Sequence, residues 1–290
     1  MRGRRAWPFR ITIGLFPACR SPAAWILTSA PWRQLAIRCA LPRRRARILP
    51  LCSGRKKQTE SKQMDIKAVF LDIDNTLLDF NECARVALRA AMEKMGERYR
   101  DDMYPVFEKE NNQIWKELEM GLLNREELHE QRFERILRAL SMDESKGHAM
   151  EEVFQQQVGE GAEHVQGAME LLQYLHGKYP LYAASNARQF RQVKRLQKAG
   201  MMPYIREVFS SEQMGANKPS RAFFDGCFMH LPGLLPENCV LIGDSLSADI
   251  KGGRDYGMKT VWYNHDHLPV PENCPADYTV DHLSDILHIL

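Results

Sequence analysis

The 290-residue chain has no apolar run approaching 18 residues, so no membrane-spanning helix is expected. Its seven cysteines, Cys19, Cys39, Cys52, Cys83, Cys227, Cys239 and Cys274, form no C-x-x-C pair and are odd in number. That excludes the usual zinc spacings and fits scattered reduced thiols in an intracellular protein. Acid is scarce at one end. Residues 1–63 hold 15 of the 40 Lys and Arg but one of the 37 acids, Glu60, so this segment carries +14 and the remainder −11. An acidic body argues against nucleic-acid binding. No internal repeat and no low-complexity tract follows residue 63.

What the first 63 residues contain is Arg, Pro and Trp without a helical or strand period, with Arg43-Arg44-Arg45 and Arg55-Lys56-Lys57. They are expected to be a disordered basic extension outside the fold. Three origins fit: an organelle transit peptide, a basic tail for nucleic acid or anionic lipid, or upstream sequence preceding a true start at Met64. The last is preferred, because strand-forming sequence begins almost directly after Met64. It implies a cytoplasmic protein; a genuine transit peptide would make it organellar.

Beyond Met64, one feature stands out. The apolar run Val69-Phe70-Leu71 leads into Asp72-Ile73-Asp74, within a strand and acidic end expected over 66–78. Residues i and i+2 of a strand share a face. Two carboxylates that close repel unless one is protonated or a cation lies between them. A hard divalent ion with oxygen ligands, most simply Mg²⁺, satisfies both.

From 81 to 160 the period is helical and no strand is expected. Cys83, Val86, Ala87, Ala90, Ala91 and Met95 mark one helix face, with Asn81 as its N-cap. Val106, Ile114, Leu118 and Leu122 mark a second helix. Leu128, Phe133, Ile136, Leu137 and Leu140 mark a third, and Met150, Val153, Phe154 and Val158 a fourth. From 161 to 290 strands and helices alternate, with strands at 181–184, 207–211, 239–242 and 259–263. This rhythm predicts an α/β fold, a doubly wound parallel sheet with helices on both faces, made of residues 64–80 and 161–290 and interrupted by an all-helical insert at 81–160.

In open α/β sheets, ligands bind outside the carboxyl ends of the strands. Four such ends carry polar groups here: Asp72/Asp74, Ser185/Asn186, the loop to Lys218, and Asp244-Ser245 with Asp249. Each alone has a bland reading, as a cap, a solvated lysine or a turn. Together they suit phosphoryl transfer, in which carboxylates hold a cation while cation and lysine neutralise phosphate oxygens.

These residues resemble the motifs of the haloacid dehalogenase superfamily of phosphatases. Asp72-Ile73-Asp74-Asn75-Thr76-Leu77 matches the first motif, Ser185 the second, Lys218-Pro219 the third, and Gly243-Asp244-Ser245-Leu246-Ser247-Ala248-Asp249 the fourth. The helical insert resembles the C1 type of cap. The resemblance implies that Asp72 attacks phosphorus and forms an aspartyl-phosphate, and that Asp74 protonates the leaving oxygen and then activates water. It implies that Ser185, Asn186 and Lys218 bind the phosphoryl group. It also implies that Asp72, the Asp74 carbonyl and Asp244 ligate Mg²⁺, with Asp249 supporting the metal shell. The second aspartate favours a phospho-substrate over a haloacid, because displacement of halide needs no acid. Family members often carry glycine after the Ser/Thr-Asn pair, where this chain has Ala187.

Within the superfamily the closest resemblance is to bacterial pyrimidine 5′-nucleotidases that act on noncanonical nucleotides. It rests on Phe70 to Phe80, on Asn112, Trp115 to Glu119, Gly121 and Arg132-Phe133 in the insert, and on Gly243-Asp244-Ser245 through Asp249-Ile250, Gly252-Gly253 and Trp262-Tyr263-Asn264. It implies a small phosphorylated metabolite, a nucleotide, as substrate. Trp115 is then a candidate for stacking on the base, against the plainer reading of a tryptophan packed inside the insert. Phosphatases of N-acylneuraminate 9-phosphate and phosphoglycolate, and mutases of the β-phosphoglucomutase kind, share similar motifs. A rival of another class is a catalytically silent binding module on the same fold. Gly252 and Gly253 are expected to let a helix approach the sheet. His265 and His267 are expected to be exposed loop histidines.

Overall fold

The structure, a computed structural model, describes residues 65–290. The basic extension and the reading of Met64 as a start lie outside the described residues. Six parallel strands, β1 (Ala68–Leu71), β2 (Leu181–Ser185), β3 (Glu207–Ser210), β4 (Cys239–Gly243), β5 (Lys259–Tyr263) and β6 (Tyr278–Val280), form one sheet in the order β3-β2-β1-β4-β5-β6. The chain winds outward from β1 to β3 and then returns to place β4 on the other side of β1. The switch point therefore lies between β1 and β4, where a doubly wound sheet opens a crevice at its carboxyl edge.

The two faces of β1 explain its near-continuous apolar sequence. Val69 and Leu71 face one core with helices α5 (Ala168–His176) and α6 (Gln189–Lys198), through Leu171, Leu172, Leu175 and Leu196. Ala68 and Phe70 face the other, with Phe223, Phe224 and Cys227 of helix α8 (Arg221–Met229), which follows the single turn of α7 (Ser211–Met214). Strands covered on both sides lose the in-out alternation of a half-exposed sheet. The three-residue strand β6 extends the edge beyond β5. It went unseen in the sequence because three residues are too few for a period.

The first strand is shorter than predicted, because the chain turns where the acids begin. Asp72 N still bonds Ile242 O, but the Ile73 carbonyl then accepts from both Leu77 N (2.9 Å) and Leu78 N (2.8 Å). Asn75 takes a left-handed φ of 59° inside this loop, a conformation asparagine tolerates better than most residues.

Helices α1 (Phe80–Lys94), α2 (Met103–Glu119), α3 (Arg125–Ala139) and α4 (Gly147–Val158) fill the insert. They enclose their own core, with Phe107, Phe133 and Phe154 in mutual ring contact beside Leu88 and Met92. Two details correct the sequence reading. Asp79, not Asn81, caps α1 by accepting from Glu82 N at 2.8 Å. Val86 and Leu122 are 55% and 70% exposed, because the helical period centres the buried face of α1 on Ala84, Ala87, Leu88 and Ala91, and Leu122 lies past the end of α2. The start of α3 carries a full capping box between Asn124 and Glu127, a legible signal that the apolar pattern had overshadowed.

Candidate active site

The four polar strand ends meet at the carboxyl edge. Lys218 is 2% exposed, and its Nζ donates to Asp72 Oδ1 (2.5 Å), Asp249 Oδ1 (2.6 Å) and the Ala184 carbonyl (2.6 Å). One ammonium with three acceptors is satisfied and fixed in direction. Burial pushes Lys218 toward neutrality, but the Asp249 and Asp72 carboxylates outweigh it and hold the ammonium protonated, well above the usual lysine range.

Asp72, Asp244 and Asp249 each offer a carboxylate oxygen, and these oxygens lie within 4.8 Å of one another. Burial, helped by the neighbouring Asp249, Asp244 and Asp74 charges, pushes Asp72 well above the usual carboxylate range despite Lys218. Burial raises Asp249 in the same sense. Three clustered carboxylates against one lysine leave negative charge in excess. The donor set is all hard oxygen, which fits a small divalent cation.

Local sequence explains the placement. At the end of β4, a Cβ on Gly243 would lie 2.3 Å from Asp249 Oδ2, so only glycine admits the carboxylate there. Asp249 Oδ2 accepts from Ser245 N, and the chain enters its helix through a wide turn in which Ile250 N reaches Ser245 O. That turn leads into α9 (Lys251–Tyr256). Gly253 packs on Leu241 and Thr260 of the sheet, as expected. Gly252 instead meets Pro219, where a Cβ would come within 2.9 Å of its Cα, and so supports the lysine loop. Asp244 receives Thr76 Oγ1 at 3.4 Å, and its carbonyl accepts from Trp262 Nε1. His265 is not the exposed histidine expected. Its side chain is 22% exposed and its Nε2 lies 3.9 Å from Asp244 Oδ2, whereas His267 is exposed.

Ser185 Oγ accepts from Ala187 N and Gln192 Nε2, which leaves its hydroxyl proton free to donate. Asn186 is used differently. Its side chain bonds the Lys218 backbone in both directions, from Nδ2 to the carbonyl (3.0 Å) and from Lys218 N to Oδ1 (2.8 Å). Asp74 stands apart from the three-carboxylate group. Arg195 Nη1 donates to its Oδ1 at 2.5 Å, and Gln192 Nε2 to its Oδ2 at 2.6 Å. Burial alone would raise Asp74, but the Arg195 guanidinium beside it holds it below the usual range.

Sequence reasoning passed over several of these groups. Gln192 and Arg195 lie three residues apart on α6, on the same buried face as Leu196, so a polar pair in an apolar stripe was the available signal. On α2, Glu108 lines the cleft with Asn112, Trp115 and Glu119 at spacings of four, three and four, and of these only Glu108 lies outside the residues that carry the nucleotidase resemblance. Glu119 accepts from Ser247 Oγ at 2.6 Å, which ties the insert to the fourth strand-end loop. Arg125, at the start of α3, donates from Nη2 to the Asn186 carbonyl, Ser211 Oγ and Asn217 Oδ1, which ties it to the second and third. Trp115 packs against Ile114, Leu118 and Leu128, the plainer of its two readings, and also lines the cleft. The cleft between insert and sheet encloses about 500 Å³, within the usual range for a small-molecule site.

A parallel doubly wound sheet with a lysine–carboxylate centre at its switch point, roofed by inserted helices, defines a class of phosphoryl-handling α/β hydrolases. Residues 66–257 match the haloacid dehalogenase-like hydrolase family, and the chain belongs to it. It is 33% identical to the HAD-hydrolase YfnB of Bacillus subtilis over 77% of this chain and 95% of that protein. It is 34% identical to the pyrimidine 5′-nucleotidase PynA of Streptococcus pneumoniae, over 78% and 96% respectively. The crystal structure of magnesium-bound YfnB superposes with a TM-score of 0.73 at 31% identity, covering 78% of this chain and 98% of that one.

Proposed function

We propose that the protein is a Mg²⁺-dependent phosphomonoesterase acting through an aspartyl-phosphate, with pyrimidine nucleoside 5′-monophosphates as substrates. The observation that carries the chemistry is the buried Lys218 ammonium holding Asp72 while sharing its charge with Asp249. That contact orients one carboxylate oxygen and leaves the other free to attack. PynA, and the pyrimidine 5′-nucleotidase YjjG of Escherichia coli at 25% identity, support the substrate class.

In the first step Asp72 forms a bond to phosphorus, the bond from phosphorus to the leaving oxygen breaks, and Asp74 gives that oxygen a proton. In the second, water attacks phosphorus, Asp74 takes its proton, and the bond to Asp72 breaks to release inorganic phosphate. The partners of Asp74 in this structure, Arg195 and Gln192, stabilise its ionised form, which the second step requires, and work against the protonated form that the first step uses. Ser185 and Lys218 donate to phosphoryl oxygens, and Asn186 keeps the Lys218 backbone in register with the second loop. Asp72, Asp244 and the Asp74 carbonyl would hold Mg²⁺, with Asp249 supporting them. When bound, the ion supplies positive charge that offsets the phosphoryl oxygens and the clustered carboxylates. Helices α1–α4 act as the cap that encloses the leaving group, and Trp115 offers its ring to the base.

The test is hydrolysis of p-nitrophenyl phosphate with and without Mg²⁺, followed by a screen of nucleoside monophosphates, sugar phosphates and phosphoglycolate. Wild-type turnover is expected to need Mg²⁺ and to be highest on pyrimidine nucleotides. Asp72→Asn is expected to lower kcat by at least about 10³-fold. Substantial activity in that variant rules out covalent catalysis by this side chain. Flat activity across the screen removes the nucleotide assignment and leaves the chemistry.

A further inference from the structure

At the seam between α6 of the sheet layer and α4 of the cap lies a guanidinium that makes no direct ion pair among the described residues. Arg191 lines the cleft one residue before Gln192, which grips Asp74. Its Nη1 donates to Gln155 Oε1 of α4, a neutral amide oxygen. Its Nε is buried and has no hydrogen-bond partner among the described residues. The neighbouring guanidiniums are differently placed. Arg195 is paired with Asp74, and Arg132 with Glu151. Burial, with Asp74 offsetting it and Arg195 and Arg132 adding to it, pushes Arg191 down to about 10. A partly buried guanidinium with an unpaired buried donor is costly, and the cost is relieved when a ligand brings an acceptor.

The position says which part of a ligand that is. Arg191 lies close enough to Asp74, where the leaving oxygen departs, for the two charges to act on each other. The cleft wall also holds the partly exposed rings of Phe80 and Trp115, which supply flat apolar surface. Aromatic faces plus a fixed donor suit a planar ring carrying a carbonyl oxygen. We infer that Arg191 is a specificity-determining residue that donates to a ring carbonyl of the leaving nucleoside, so that the cleft selects bases with an acceptor oxygen adjacent to the sugar-bearing nitrogen, as every common pyrimidine has. This rests on the nucleotidase reading above and adds the side chain that enforces it. A site built to pair a polar group rejects ligands lacking the partner strongly, because its own donor then stays unpaired.

The experiment compares kcat/KM for uridine 5′-monophosphate and for ribose 5-phosphate, which lacks the base, in wild type, Arg191→Leu and Arg191→Lys. The ratio is taken within one preparation, so a partly misfolded fraction cancels. The ratio is expected to fall at least tenfold in Arg191→Leu and by less in Arg191→Lys, which keeps a donor and a charge. A ratio in Arg191→Leu within twofold of wild type overturns the inference while the nucleotidase reading stands. A wild-type enzyme that hydrolyses ribose 5-phosphate but not the nucleotide overturns the nucleotidase reading, and this inference with it.

Discussion

At the scale of single residues, the site separates two aspartates that sequence alone had placed side by side. Asp72 faces Lys218 and two more carboxylates, whereas Asp74 is gripped by Arg195 and Gln192 of α6. Identical side chains two positions apart thus meet opposite electrostatics: burial among carboxylates raises Asp72, which bound Mg²⁺ would offset in favour of an ionised nucleophile, while Arg195 favours the ionised Asp74 that the second step needs. It follows that Asp74→Asn discriminates between leaving groups. Its kcat is expected to fall about 10²–10⁴-fold on an alkyl phosphomonoester, whose leaving oxygen needs a proton, and by far less on p-nitrophenyl phosphate. Equal losses on both substrates in steady-state assays contradict the acid role. Asp72 and Asp244 were legible in the sequence because each directly follows a strand, and Lys218 and Asp249 because they lie in the segments beyond strand ends, which a doubly wound sheet brings together. Gln192, Arg195 and Arg125 were not, because they act from helices whose rotation about the axis is set by packing. His265 was read as exposed because nothing local signals that β5 delivers its loop beside Asp244.

At the scale of elements, the helical insert carries a charged core of its own. Glu151 of α4 accepts from Arg132 Nη2 (2.5 Å) and lies 2.7 Å from His129 Nδ1, both on α3. Burial by itself would raise this carboxylate, but the Arg132 and His129 groups outweigh it and hold Glu151 at about 2, against an ordinary 4.5. A folded-state pKa below the unfolded one contributes stability that is complete above about 4.5 and is lost as pH falls toward 2. That difference corresponds to about 3 kcal/mol. Urea unfolding between pH 6 and pH 2 is expected to show the loss in the wild type. The slope should flatten in Glu151→Gln, which begins from lower stability; an unchanged slope removes Glu151 as its source. The helices themselves were readable from their period. Their buried ion pair was not, because Arg132 and Glu151 lie 19 residues apart on different helices.

At the scale of the whole molecule, charge is divided between the parts. The extension over residues 1–63 is strongly basic, while the remainder is acidic. Every residue assigned to the site lies between 72 and 265, so a chain begun at Met64 is expected to keep kcat/KM within about a factor of two. Full-length and shortened proteins assayed side by side check this. A large loss would give the extension a part in the reaction. Alternation of strand and helix made the architecture legible early, since few topologies satisfy it. The contacts that bridge insert and sheet were hidden, because no local pattern records which distant surfaces will meet.

Arg125 clasps the Asn186 carbonyl and the Asn217 amide oxygen, and Asn186 in turn splints the backbone of the residue following Asn217, the lysine. A swing of the roof away from the sheet must release that clasp, unfastening the outer brace of the anchored ammonium in the same stroke. The placement of α3 over the sheet and the backbone that carries Lys218 are thereby linked through one guanidinium and one amide.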